Sequence, residues 1–324
     1  MNPRRILPGL MLGFVVFLAL ALLGDLRQVG DEVRHFAWRL FPIALVLTLF
    51  NYLLRGLKFH YYLRQVGAKT IPLSQSFRLF VAGFPLAMTP GKVGEVFKAV
   101  WIEQKTGVPA ARGVAVVVAE RISDGLAVLL LSTVGVIAYP QYWPAFAFVL
   151  AVLLSVIAVS QVRPFAYALL DWWSRFPVVG RFGGVLRQFY EGSFALFRPS
   201  ATLIGVGLGM ISWFGEGVAF YVILLGLGIP PGWEMLSLAV FTLAFSTVIG
   251  AASTLPGGLG AAEASIAGML ILLGGLHSGS AAAATLLIRF ATLWFGVALG
   301  LAAWMLSPDL FKRPKEFATE KTKD

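Results

Sequence analysis

The amino-acid sequence predicts an all-α polytopic membrane protein, and composition carries most of that prediction. Of the 324 residues 58% are hydrophobic, whereas 13% are charged, about half the roughly 25% of a soluble domain. Four long stretches contain no charged residue: 6–24, 125–161, 217–233 and 235–262. Uncharged apolar runs of about 18 residues or more are typical of bilayer spans, which lipid forces to be helical. A soluble enzyme is therefore excluded.

We predict about six full transmembrane helices and two broken segments within one integral membrane domain, residues 1–324. The full spans are expected near 6–23, 38–55, 113–138, 143–161, 200–228 and 279–306. The first apolar run is longer than the core of a usual signal peptide, so we expect it to be retained. Segments 76–112 and 234–278 are apolar but interrupted by Pro and Gly, and we predict that both are re-entrant hairpins.

The net charge of +10 reflects membrane topology rather than nucleic-acid binding, which we do not expect. Most Lys and Arg residues fall in the N-terminal tail, the segment after the second span, residues 162–199 and the tail 308–324. The segment after the second span includes Arg55 and Lys58. All these segments lie on one side if both broken segments are hairpins. We therefore place both termini in the cytoplasm and the protein in the cell (inner) membrane.

Residues 163–198 are predicted to form two short helices. Large apolar residues, among them Phe165, Trp172, Phe189 and Phe194, recur near helical spacing, with Arg and Asp on other faces. This pattern favours helices that lie in the cytoplasmic membrane interface. A small soluble helical hairpin is the alternative.

An internal repeat relates residues 76–138 to residues 242–306. Pro90 to Glu95 and Pro256 to Glu263 are similar Gly-rich breaks, and each is followed by an apolar helix that carries an Arg. Glu95 and Arg121 are 26 residues apart, as are Glu263 and Arg289, and Gly107 falls opposite Gly275. The orientation from charge gives the two units opposite directions. The sequence therefore predicts an inverted repeat, a recurring plan of transporters.

The breaks and the charges at membrane depth are the candidate site. The predicted helix-break residues are Pro90, Gly91, Gly94, Pro256, Gly257, Gly258 and Gly260. Their free backbone groups must line protein or a wet cavity. The candidate substrate-binding residues are charged, at a cost of roughly 2.5–3.5 kcal/mol each at mid-span: Lys92, Glu95, Glu120, Arg121, Asp124, Glu216, Glu263 and Arg289.

Two interpretations of these charges remain open. They lock helices together if Arg121 pairs with Glu95 or Asp124 and Arg289 pairs with Glu263 or Glu216. Alternatively, they line a central cavity in which the arginines hold an anionic headgroup and the acidic residues balance them or bind a cationic one. Glu120 and Asp124, four residues apart, repel unless one is protonated or paired, which makes proton coupling conceivable.

Other chemistries have little support in the sequence. The chain has no cysteine, and its three histidines are scattered, so we expect no metal and no cofactor. An intramembrane enzyme that uses Glu120 and Asp124 as acid and base on a lipid-linked substrate is one alternative function. A membrane scaffold without transport is another.

The motifs together resemble the lysylphosphatidylglycerol synthase transmembrane-region family, also called flippase-like proteins, over about residues 8–307. They are the break at 90–95, the helix segment 120–124 and the break at 255–263. In better-known members the membrane half is taken to move aminoacylated phosphatidylglycerol between leaflets, and a separate soluble domain makes that lipid.

The resemblance implies a flippase or lipid transporter without its own synthase domain. The lipid classes it implies are anionic or aminoacylated phospholipids and polyprenyl-phosphate-linked lipids. The expected partners are membrane lipids, with a second copy of the chain and a separate lipid-modifying enzyme as candidate protein partners.

Overall fold

The computed structural model describes Met11, Val15 and residues 26–89, 94–138, 143–176 and 181–310. Every regular element in these residues is helical, which confirms the predicted all-α class. The predicted first span at 6–23, apart from Met11 and Val15, lies outside the described residues. The same is true of the predicted tail beyond residue 310.

Thirteen α-helices in the described residues are labelled here in chain order. They are α1 (Leu26–His35), α2 (Phe41–Gln65), α3 (Leu73–Ala82), α4 (Phe97–Thr106), α5 (Ala110–Ala138), α6 (Trp143–Gln161), α7 (Arg163–Ser174), α8 (Gly183–Leu196), α9 (Pro199–Gly226), α10 (Trp233–Ala252), α11 (Ala261–Leu272), α12 (Ser278–Arg289) and α13 (Phe295–Met305). A π-helical turn, Phe290–Trp294, joins α12 to α13. Short 3-10 turns occupy Trp38–Leu40, Phe84–Met88, Pro256–Gly258 and Pro308–Leu310.

Four helical stretches among the described residues are long and apolar enough to cross a membrane: Trp38–Gln65, Pro199–Gly226, Trp233–Ala252 and Ser278–Met305. A fifth is added if α6 and α7, which meet at an angle of 85°, form one bent span. The chain is therefore a multi-pass membrane protein. These helices do not establish the predicted layout of six spans and two hairpins.

Two predicted segments differ from the helices of the structure. The helix of the second span does not end at 55, because α2 continues to Gln65 and buries Lys58 completely. Arg55 and Lys58 therefore lie within a helix that could cross the membrane, and not in a segment that follows it. The broken segment 234–278 begins with a 20-residue helix, α10, that could cross the membrane by itself. Its re-entrant character is thus not confirmed. In segment 76–112, α3 and α4 have ten residues each, too short to cross.

The predicted interfacial helices are α7 and α8. The bend at Val162 turns α7 almost perpendicular to α6, and α7 has no buried residue. Phe165, Trp172 and Trp173 are all exposed. Glu191 of α8 accepts hydrogen bonds from Arg163 and Tyr167, which joins the two helices. Unlike α7, α8 turns aromatic side chains inward, since Tyr190 is buried and Phe189 packs against the core. Their position at the cytoplasmic interface stays a prediction.

The centre of the fold is α9, which packs along α2, α5 and α10. Small residues on α9 allow this close approach, as is common between membrane helices. A Cβ added at Gly209 would lie 2.8 Å from Ala127 of α5, and one added at Gly217 would lie 3.0 Å from the Cα of Val240 in α10. The glycines thus bring the backbones of α9 and its neighbours together.

Residues near the end of the described chain contact the first broken segment, residues 76–112. Asp309 accepts hydrogen bonds from Arg78 of α3 and Lys105 of α4. Since the Lys105 ammonium donates to this carboxylate, the pKa of Asp309 lies below its usual value. Trp304 of α13 also donates its indole N–H to the carbonyl of Ala82, at 2.7 Å. The 3-10 turn that follows α13 therefore contacts both short helices of the first broken segment, and α13 itself contacts α3.

The tight contact at Gly217 can be tested against a glycine of the same helix. In Gly217→Ala the new methyl group would meet Val240, and we expect a loss of about 1–3 kcal/mol from overpacking. Gly207→Ala is the control, because a Cβ there meets nothing within 4 Å. It should keep or slightly raise stability, by about 0.5–1 kcal/mol. Thermal unfolding in detergent measures both, and equal stability of the two variants would contradict the packing described.

Candidate functional site

Two ion pairs at equal sequence spacing form the core of the candidate site. Arg121 Nε lies 2.9 Å from Glu95 Oε2, and Arg289 Nε lies 2.5 Å from Glu263 Oε1. Both carboxylates are buried. Of the pairings considered from the sequence, the structure brings together Arg121 with Glu95 and Arg289 with Glu263. The equal spacing therefore corresponds to two equivalent contacts.

The local backbone repeats in the same register. Gly107 follows the helix after the first break and has a φ of +72°, and Gly275, its counterpart, has a φ of +64°. Glycine adopts this left-handed conformation without the steric cost that other residues bear. The next helix begins three residues later in both units, at Ala110 and at Ser278. The two units therefore share a glycine turn at the same position as well as a Glu–Arg ion pair.

The second break is closed by its own ion pair. Gly257, Gly258 and Gly260, three of the proposed helix-break residues, all have positive φ. The backbone N–H of Gly260 donates to Glu263 Oε2 at 2.6 Å, and Arg289 Nη2 donates to the carbonyl of Gly257 at 2.9 Å. The pair therefore satisfies backbone groups that lipid could not. The anion at the start of α11 is the protein's own carboxylate.

The first break is described only in part. Pro90, Gly91 and Lys92, which the sequence places in the break and at the candidate site, lie outside the described residues. On either side of them, the hydroxyl of Thr89 accepts the N–H of Gly94 at 2.8 Å and donates to the carbonyl of Leu86. The Thr89 hydroxyl thus links the residues before the break to those after it.

The two breaks meet inside the protein. Met88, at the end of the first 3-10 turn, packs in one buried cluster with Leu259 and Val297. A Cβ added at Gly257 would lie 2.9 Å from the sulfur of Met88. The first break therefore contacts the second break directly, and α13 packs against both.

The structure adds three basic residues that the sequence did not assign to the site. Lys58 Nζ lies 2.5 Å from Asp124 Oδ1, and Arg55 Nη2 lies 3.1 Å from Asp124 Oδ2. Lys98 Nζ lies 2.9 Å from Glu120 Oε2 and 4.7 Å from the centre of the Phe59 ring. The sequence did not indicate these residues because each partner is about 20 to 70 residues away along the chain, and hydropathy gives no sign of so distant a contact.

These contacts change the expectation for α5. Glu120 and Asp124 do not need a shared proton to coexist, because each has a basic partner of its own. Asp124 does not pair with Arg121, although the two are three residues apart. The argument for proton coupling from their mutual repulsion therefore fails.

Glu216 is the exception among the predicted acidic residues. It is 6% exposed and lies on α9, yet it has no ion pair within 4 Å and no side-chain hydrogen bond in the part of the chain that the structure describes. The predicted pairing of Glu216 with Arg289 is not formed, because Arg289 binds Glu263. Arg55, Arg289 and Asp124 are the charged groups that act on it electrostatically.

The predicted central cavity stays a prediction. A polar pocket of about 670 Å³ lies elsewhere, between α1 and the start of α12, and is lined by Asp31, Glu32, His35 and His277. The described residues contain no group of three or more His, Cys, Asp or Glu that could hold a metal ion. The site as it stands is a set of closed ion pairs.

The buried pairs differ in how many partners each carboxylate has. Lys98→Met should leave Glu120 without a basic partner, which costs about 3–5 kcal/mol for a buried pair. Lys58→Met removes an equally buried lysine but leaves Arg55 at Asp124, so its cost should be smaller. Unfolding in mixed micelles ranks the two variants. A larger loss in Lys58→Met would show that Arg55 does not compensate.

Comparisons with known proteins assign the chain to a family. The family model described as the lysylphosphatidylglycerol synthase TM region matches residues 10–300. Two proteins of Methanothermobacter thermautotrophicus, both called UPF0104 membrane protein, are 23% identical to this chain. One matches over 316 residues, 89% of this chain and 90% of the relative, and the other over 322 residues, 91% and 93%. No solved structure matches. The chain belongs to the lysylphosphatidylglycerol synthase transmembrane-region family.

Proposed function

We propose that the protein is a flippase or transporter that moves a lipid between membrane leaflets. The observation that carries this proposal is the pair of matching Glu–Arg contacts, each beside a helix break within an apolar multi-pass protein. Charges at such depth are costly and commonly mark a pathway for a polar group. The proposed substrates are an anionic or aminoacylated phospholipid or a polyprenyl-phosphate-linked lipid.

The proposed mechanism uses the two units as an inverted repeat. Broken helices that meet near the middle of a membrane are the usual site of such transporters, and access alternates when one unit moves against the other. The contact between Met88 and Gly257 supports this arrangement, because it brings the two breaks together. In the proposed cycle, an ion pair opens when a headgroup arrives and closes when it leaves.

Arg121 is the proposed first contact for a phosphate. Its side chain is 42% exposed while it binds Glu95, whereas the side chain of Arg289 is 15% exposed. A planar guanidinium can hold a carboxylate and a phosphate in the same bidentate manner, so exchange between them is chemically simple. The accessible face of Arg121 gives the headgroup a place to bind before the ion pair opens.

Reconstitution into liposomes tests the function against its alternatives. Labelled phosphatidylglycerol, aminoacyl-phosphatidylglycerol and polyprenyl phosphate are offered in turn, and both leaflet position and chemical structure are measured. Movement without chemical change is the expected result for at least one lipid. A new lipid product would instead indicate the intramembrane enzyme with Glu120 and Asp124 as acid and base. Neither movement nor product would indicate a scaffold.

We also propose that both termini and residues 163–198 face the cytoplasm of the inner membrane. The exposed Arg175, Arg181 and Arg187 of this segment support the proposal through the preference of Lys and Arg for the cytoplasmic side. The chain has no cysteine, so a single one introduced at Ser200 or Thr319 has no background. An impermeant thiol reagent should label neither position in intact cells and both after lysis. Labelling from outside would reverse the orientation.

Arg121→Lys and Arg289→Lys separate binding from structural pairing. Lysine keeps the charge, so both variants should insert and fold, but it loses the planar fork that holds phosphate. We expect lipid movement to fall at least about tenfold, the equivalent of about 1.4 kcal/mol, with Arg121→Lys the cleaner case. Arg289→Lys also loses the hydrogen bond to Gly257. Thermal stability and lipid movement are measured on the same preparations, and full activity of both variants would leave only a structural role.

A further inference from the structure

Glu216 differs from the other buried acidic residues that the structure describes. Glu95, Glu120, Asp124 and Glu263 each have a basic partner within 3.2 Å. Glu216 is as buried as they are, in the middle of α9, and has none among the described residues. A buried carboxylate without a partner is costly when ionised, whereas a neutral carboxylic acid is tolerated far better. Its surroundings therefore suit a group that binds a proton.

The groups around Glu216 come from three helices. Helix α2 contributes Tyr52 and Arg55, α5 contributes Asp124, and α12 contributes Arg289. Tyr52 is engaged, since its hydroxyl donates to the carbonyl of Thr292 at 2.6 Å. Arg289 is engaged with Glu263. Arg55 is held by its charge contact with Asp124 and by the rings of Phe80 and Trp213.

Three further elements pack against α9, and none of them adds a buried charge. The 3-10 turn Trp38–Leu40 carries Arg39, which is exposed. Helix α10 carries one charged residue, Glu234, which is exposed in its first turn. In α8, Arg187 binds Asp171 at 2.8 Å and Glu191 accepts from Arg163. The electrostatics of Glu216 therefore depend on α2, α5 and α12.

Arg55 is placed to serve two carboxylates. It lies 3.1 Å from Asp124 on α5, and its guanidinium sits 5.2 Å from the ring centre of Trp213 on α9. Trp213 precedes Glu216 by three residues, which puts both side chains on the same face of that helix. The Nε atom of Arg55 is buried without an acceptor. Arg55 therefore lies beside the face of α9 that carries Glu216, while its own charge contact is with Asp124.

Asp124 can release Arg55 because it holds a second cation. Lys58 Nζ lies 2.5 Å from the other oxygen of Asp124 and is completely buried. With Arg55 removed, the Asp124 carboxylate would still be paired. Arg55 is thus a cation that the cluster can share, unlike Lys98 or Arg289, whose departure would leave a buried carboxylate alone.

We propose that Glu216 binds a proton and that this proton drives lipid movement. It does so by deciding whether Arg55 contacts Asp124 or Glu216. When protonated, Glu216 needs no cation and Arg55 stays at Asp124, as in the structure. When Glu216 loses its proton, its carboxylate draws Arg55 away from α5, the helix that also carries Arg121. One proton is taken from water on one side and released on the other, and no bond of the lipid changes. The inference rests on the proposed function.

Proton binding is tested directly by infrared difference spectroscopy of the full-length protein in lipid. Changing the pH should reveal protonated carboxyl absorption from all the titrating acids, with one component that disappears in Glu216→Gln and persists in Glu234→Gln, the matched change at an exposed position. Glu216→Asp keeps a carboxyl group and should shift that component in frequency, which provides a second variant if Glu216→Gln does not fold. A carboxyl difference spectrum that is the same in the wild type, Glu216→Gln and Glu216→Asp would overturn the proton site.

Coupling is tested in liposomes of phosphatidylethanolamine and phosphatidylglycerol that contain a pH-sensitive dye. In the wild type and in Glu234→Gln, an imposed pH gradient should change the rate of labelled phosphatidylglycerol movement, and the dye should report proton flux. Glu216→Gln should lose both responses. Equal lipid movement with and without a gradient in the wild type would overturn the coupling and leave the flippase proposal standing. An infrared band without any lipid movement would contradict the proposed function and leave the proton site.

Discussion

The fold depends on one constraint, which is that a charge buried among apolar helices must have a partner of opposite charge. An ion taken out of water loses several kcal/mol of solvation, and a close counter-ion recovers much of that loss. Lys58 meets this constraint with Asp124, Lys98 with Glu120, and Arg289 with Glu263. These contacts join α2 to α5, α4 to α5 and α11 to α12. Pairing of charges therefore determines which helices lie together where apolar packing alone would permit other arrangements.

The same pairs explain how broken helices survive in a membrane. A break releases backbone N–H and carbonyl groups that have no partner in lipid. At the second break, the side chains of Glu263 and Arg289 supply those partners. At the first break, the hydroxyl of Thr89 accepts the backbone N–H of Gly94. Structural pairing and a functional site are thus not competing descriptions. A contact that closes a break is also the contact that a polar headgroup would have to replace.

Composition and local hydropathy were sufficient for the helical membrane class and the main apolar helices. The repeated spacing suggested both Glu–Arg contacts but left Asp124 and Glu216 open as other partners. The partners of Glu120 and Asp124 could not be found in this way. Lys58 approaches Asp124 only because α2 and α5 pack together in the folded protein, and such packing leaves no signature near either residue. The predicted second span also ended before its helix does. Hydropathy counts Arg55 and Lys58 as polar even though both contact Asp124 in the folded protein. The inverted arrangement of the two units stays a prediction.

The contact of Asp309 with Arg78 and Lys105 has a consequence for biosynthesis. The ribosome makes the chain from its N-terminus, so α3 and α4 leave it long before Asp309 exists. The ion pairs of Arg121 and Arg289 each close within a short stretch of newly made chain, whereas this contact joins residues that lie 204 and 231 positions apart. Until Asp309 has been made, Arg78 and Lys105 are without its carboxylate. Assembly of the first unit is therefore completed only after α13 has left the ribosome, and a chain that stops before Asp309 lacks this contact.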